Sequence, residues 1–214
     1  MQLLFLLSSS SSIIIVFITL MLLTILYYME YSVPNNTKSI ENYLEKYVEG
    51  ENVKLLDMKK IDNYYPILFK FNKNTLAEAT LEKGINGRLK IAGTHYAEED
   101  KITSTGFGTN KAQYQVILGK NPGNIKTVIL TDGINVYPPK YKTTIDNYLF
   151  YIHEIPVNNN HLKSIFIDLN GNQISKPEIS RTGRSSSIAN EEFILHFFIL
   201  ISAMLILLKV NLKR

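Results

Sequence analysis

Two long apolar stretches bracket a polar middle. From Leu3 to Met29 the chain carries no charged residue, and Phe193 to Leu208 is apolar apart from His196 and Ser202. Helices over these stretches would measure roughly 40 Å and roughly 24 Å, against a bilayer hydrocarbon core of about 30 Å. The pattern predicts a transmembrane helix over 3–29 and a second over 193–212, where Lys209 snorkels and Val210 and Leu212 lengthen the apolar run. Ser8 to Ser12 interrupt the first stretch only mildly, because serine hydroxyls bond back to a helix backbone. Tyr27, Tyr28 and Tyr31 would lie at an interface. With no Lys or Arg before Lys38 and no Ala before Ala77, the amino end reads as an uncleaved signal-anchor rather than a cleaved signal peptide. The basic residues nearest each span are almost balanced, with Lys209, Lys213 and Arg214 against Lys38, Lys46, Arg181 and Arg184. The expectation is a cell-membrane protein with two spans and an extracytoplasmic middle.

Inside the middle, helical periodicity occurs once near the start. Ile40, Tyr43, Leu44 and Tyr47 recur at helical spacing, Gly50 supplies a stop, and Thr37 or Ser39 supplies a cap. Strand-like runs follow at 53–61, 65–71 and 75–83. Asn86-Gly87 then reads as a tight hairpin, since both residues tolerate positive φ. Further strands are expected at 112–120, 125–132, 148–155 and 163–169, separated by the turn-rich strings NPGN, DGINVYPPK and VNNNH. The fold class expected is α+β, a mostly antiparallel β, sandwich-like domain flanked by two transmembrane helices. Its parts would be a helix plus antiparallel sheet over 36–108, a β-sandwich-like unit over 109–176 and a linker over 177–192. One continuous sheet over both units is the alternative.

Composition narrows the chemistry. The absence of Cys removes disulfides, thiolate catalysis and Cys-type zinc sites. Residues 32–190 hold 20 Lys and Arg against 16 Asp and Glu, an excess compatible with anionic lipid or envelope polymer. The cations form no stripe of the kind that binds nucleic acid. His95, His153, His161 and His196 are dispersed, and no His pair has metal-ligand spacing. In a strand, His153 and Glu154 face opposite ways. The acids in AEEDK (97–101) lack a calcium-loop pattern and read as a solvated turn. The glycine-rich TSTGFGTN (103–110) lacks the Gly-Lys pair of a phosphate loop and reads as a connection. No catalytic, cofactor-binding or metal-binding residue is assigned.

Two strings bear likenesses. The hairpin residues Glu82, Lys83, Gly84, Asn86, Gly87, Lys90 and Ile91, with Gly119, Lys120 and Asn121 further on, resemble a pattern in uncharacterised membrane-associated proteins of Bacillus-type bacteria. That resemblance implies an envelope setting and no assigned activity. ISRTG (179–183) is similar to the sorting element of sortase substrates, but Ile179 and Ser180 stand where Leu and the kink-forming Pro belong. The function expected is membrane-anchored presentation of a β-rich domain for binding. Its partners would be the lipid bilayer, another membrane protein or an anionic envelope polymer. The alternatives are a sortase-type wall-anchored protein, or an extracytoplasmic enzyme or accessory subunit with a site assembled from dispersed residues.

Overall fold

The structure, a computed structural model, describes residues 2–72, 75–97, 101–109, 111–121, 123–145, 147–156, 162–174, 179–180, 199–205 and 209. Helix α1 (Gln2–Glu30) leads to α2 (Thr37–Tyr47). The expected apolar face forms, with Ile40 and Leu44 buried, but the cap is Asn36. Its side-chain oxygen accepts the Ser39 N–H at 3.0 Å, satisfying a first-turn donor that Thr37 or Ser39 was expected to serve.

Thirteen strands follow among the described residues, in three sheets. The first sheet is β1 (Lys54–Met58), β2 (Tyr64–Phe71), β3 (Thr75–Lys83) and β4 (Leu89–Tyr96), antiparallel and in sequence order. The second contains β5 (Ile102–Gly108), β6 (Gln113–Lys120), β9 (Pro139–Ile145), β10 (Tyr148–Ile155) and β13 (Ile179–Ser180), ordered β13-β5-β6-β10-β9. The third contains β7 (Ile125–Thr131), β8 (Val136–Tyr137), β11 (Lys163–Asp168) and β12 (Gln173–Ile174), ordered β12-β11-β7-β8. Every pairing is antiparallel except β13 with β5. β5 and β6 pair along their lengths, from Ile102 opposite Gly119 to Gly108 opposite Gln113.

Strand alternation explains the stacking, because successive side chains leave opposite faces. On β2, Tyr65, Ile67, Phe69 and Phe71 pack with Ile40 and Leu44 of α2, while Leu68 joins Val116, Leu118, Phe150 and Ile152 of the second sheet. Ile117, Leu149 and Tyr151, on that sheet's other face, pack with Val128, Leu130 and Phe166 of the third. The layers therefore run α2, first sheet, second sheet, third sheet. Burying a side chain such as Phe69 or Phe150 stabilises by about 1.5–3 kcal/mol. The edge of β1 is tied to α2 by Glu41, whose carboxylate accepts the Leu55 N–H at 2.8 Å.

Three expectations need correction. TSTGFGTN is not a connection, since residues 103–108 belong to β5. The stretch expected as one turn, DGINVYPPK, contributes β8 and the start of β9. Pro139 is tolerated there because β9 is a sheet edge, where a missing N–H breaks no ladder.

The third correction concerns the flanking transmembrane helices, and with them the cell-membrane localisation with two spans. Among the described residues, no helix is long and apolar enough to cross a membrane. The side chains of α1 are described from Ile14 onward. Of the second expected span, 193–212, only 199–205 and 209 are described, as helix.

Candidate functional site

The end of α1 is locked to the β3–β4 hairpin. Tyr27 and Tyr31, one helical turn apart, stack with ring centroids 4.7 Å apart. The Ile85 N–H donates to the Tyr27 hydroxyl at 2.6 Å, and the Asn86 side-chain amide donates to the Tyr31 carbonyl at 3.2 Å. Val33 then adds to the edge of β4, exchanging N–H···O bonds of 3.0 and 2.8 Å with Leu89. Lys90, 8% exposed, places its ammonium 3.3 Å from Glu82 and 3.7 Å from Glu30 of α1, and 5.0 Å from the Tyr31 ring centroid. A buried ammonium needs such partners to offset its lost hydration. Burial, and then the negative charge of Glu82, pushes the Tyr31 hydroxyl well above the usual tyrosine range.

Two glycines make this junction possible. Gly87 has φ +76°, which closes the turn. Gly84 is required for space, because a Cβ there would strike the Tyr27 hydroxyl and lie 2.6 Å from Tyr31 Cδ1. The expected Asn86-Gly87 hairpin thus forms with positive φ at Gly87, whereas Asn86 contributes through its side chain. Its oxygen accepts the Arg88 N–H at 3.0 Å while its amide holds α1.

Beyond the junction, α1 presents a broad apolar face. Ile14, Phe17, Leu20, Met21 and Met29 are each more than half exposed. The Thr19 and Thr24 hydroxyls donate to the carbonyls of Ile15 and Leu20 at 2.9 and 2.8 Å. These hydroxyls therefore do not depend on water.

A second cluster lies on the face of the first sheet that also carries Leu68 and Leu76. Glu78 on β3 pairs across the ladder with His95 on β4. The Thr80 hydroxyl donates to one Glu78 oxygen at 2.5 Å, and His95 Nδ1 lies 3.1 Å from the other. Glu78, Thr80 and His95 are 1%, 5% and 7% exposed. A nucleophilic relay needs the hydroxyl on an imidazole nitrogen, with the carboxylate on the other. Here hydroxyl and imidazole share one carboxylate, an arrangement that satisfies a buried charge rather than activating Thr80.

His153 is fully buried between the second and third sheets. Its Nδ1 donates to the Tyr137 carbonyl at 3.0 Å, and its Nε2 has no hydrogen-bond partner among the described residues. Burial pushes its pKa down to about 4. His161, His196 and the acids at 98–100 lie outside the described residues, and so does the ISRTG string beyond Ser180. No group of three or more His, Asp or Glu able to hold a metal occurs among the described residues. Sequence reasoning treated His95 as isolated. The signal available was alternation in TLAEATLEK, which puts Glu78 and Thr80 on one face, but their pairing with His95 depends on the β3–β4 register. No family model, curated protein or solved structure matches the chain.

Proposed function

We propose that the chain acts by binding, with the layered β domain held on α1 and the exposed face of α1 embedded in lipid hydrocarbon. The carrying observation is that face: Ile14, Phe17, Leu20, Met21 and Met29 stand open on a helix whose threonine hydroxyls are already satisfied. A contiguous apolar surface of this kind on a folded protein marks a site of contact. Hydrocarbon suits it because it covers apolar side chains without offering or requiring hydrogen bonds. The clamp from Tyr27, Tyr31 and Lys90 to the hairpin fixes the β domain relative to that surface, as a presented binding module requires. Glu78 and His95 give less support to an enzyme, since both are sealed and spend their hydrogen bonds on each other and on Thr80.

Flotation of the full chain with neutral phosphatidylcholine vesicles tests the reading. The wild type is expected to float. A Phe17→Lys, Leu20→Lys double variant should lose at least about a hundredfold in partitioning, because two large apolar side chains are lost from the contact. Its β domain should unfold at an unchanged temperature. A wild-type chain that stays in the dense fraction with all vesicles would overturn the proposal, and a concentration-dependent oligomer in its place would assign the apolar face to a second copy.

A further inference from the structure

At the turn of the β3–β4 hairpin, Ile85 is 97% exposed, the most open large apolar side chain among the described residues. Its own N–H is bonded to the Tyr27 hydroxyl, so this tip is pinned against the last turns of α1, beside its apolar face. Lys83 and Arg88 flank the turn, and neither side chain has an ion pair among the described residues. Arg88 Nε is buried with no hydrogen-bond partner there. Lys90, two residues on, is already held by Glu30 and Glu82. Counting Glu30, Glu82, Lys83, Arg88 and Lys90, the junction has a net charge of +1.

We infer that the hairpin tip is a lipid-headgroup site, with Ile85 entering the boundary of the hydrocarbon and Lys83 and Arg88 taking the phosphate oxygens of anionic lipid. This deepens the proposed lipid contact of α1 and rests on it. Three features favour a lipid headgroup over a protein partner. The tip is held against the apolar face that hydrocarbon would cover. An apolar tip between two cations matches the change from hydrocarbon to phosphate. A guanidinium is matched to a phosphate, which accepts charge-assisted hydrogen bonds. The β7–β8 turn supplies a contrast within the same molecule. Ile134 is 91% exposed there, but it follows Asp132 and has no basic neighbour within the turn.

The chain has no Trp, so a single Ile85→Trp or Ile134→Trp variant gives a clean fluorescence reporter in the full-length protein. On adding phosphatidylcholine vesicles containing phosphatidylglycerol, Trp at 85 should shift to shorter wavelength and be quenched by brominated lipid. Trp at 134 should do neither. The wild type should prefer anionic to neutral vesicles, and replacing Lys83 and Arg88 by Gln should lower that preference by roughly fivefold per charge. Unchanged emission at position 85 in vesicle-bound protein would overturn the inference while leaving the α1 contact standing. So would a ratio of anionic to neutral binding that the double variant does not alter. Failure of the wild type to bind either vesicle would overturn both, as would binding confined to anionic vesicles, because the headgroup site rests on the hydrocarbon contact.

Discussion

Helix α1 leaves Phe17 and Met29 more than two-thirds exposed, whereas β3 and β4 seal Glu78 and His95 to 1% and 7%. The two regions invert the usual placement of apolar and charged side chains, but they differ in whether the inversion is resolved within the chain. At Glu78 it is: both carboxylate oxygens have partners, and the second sheet covers that face. At α1 the hydroxyls of Thr19 and Thr24 are satisfied, and the apolar surface from Ile14 to Met29 is left uncovered by the described residues. The sealed cluster therefore explains itself as architecture, while the open helix points outside the molecule.

Removing the carboxylate tests the first half of that contrast and should have the largest effect. Glu78→Ala strips His95 and Thr80 of their shared acceptor in a dry setting. A loss of about 3–5 kcal/mol is expected by denaturant unfolding. Glu78→Gln, which keeps one acceptor oxygen, should lose less. Unaltered stability in Glu78→Ala would mean that the cluster does not hold the sheet, and would reopen it as a chemical site.

His153 gives a somewhat smaller effect with a defined pH window. Its folded pKa, about 4, lies below the 6.5 of a free histidine, so the unfolded chain takes up a proton first as pH falls. The stability it contributes is complete above about 6.5 and is lost as pH drops through about 4, a change of about 3 kcal/mol. His153→Gln should flatten this part of the acid limb in unfolding curves taken from neutral pH downward. Asp132 and Asp168 titrate separately. Backbone N–H groups of their turns hold both carboxyls below the ordinary carboxylate range, so their contribution is lost only at lower pH. An acid limb identical in His153→Gln and wild type would defeat the assignment.

Legibility followed local physics. α2 was readable because Ile40 and Leu44 sit at helical spacing, and β2, β3, β6 and β10 were readable as apolar runs between turn residues. β5 was hidden by Gly106 and Gly108, which lower strand preference, and β9 by Pro139 and the alternating Lys140 and Lys142, which belong on an edge. The fates of the polar face of β3 and the apolar face of α1 were not local properties. Alternation marks Glu78 and Thr80 as one face but does not say that a second sheet covers it. Run length marks α1 as apolar but not what is tied to it. The junction was half visible, since the hairpin string was legible as a turn while the reason for Gly84 required Tyr27 and Tyr31 in place.

Gly84 is also where the two regions meet, so replacing it tests whether they are mechanically coupled. In Gly84→Ala the added Cβ meets the Tyr27 hydroxyl and the Tyr31 ring. The hydroxyl can swing aside only by releasing the Ile85 N–H, and Tyr31 Cγ, 2.8 Å from the Cβ, is too near the backbone to move alone. The overpacking should cost about 1–3 kcal/mol, the smallest stability change of the three. Its consequence for geometry should be larger, because α1 would remain attached chiefly through the Val33–Leu89 bridge and the Lys90 contacts. Spin labels on α1 and on the third sheet should give one narrow distance distribution in the wild type and a broadened one in Gly84→Ala. A distribution left narrow would show that the strand bridge and Lys90 suffice to orient the helix, and the stacked tyrosines would then be packing rather than a clamp.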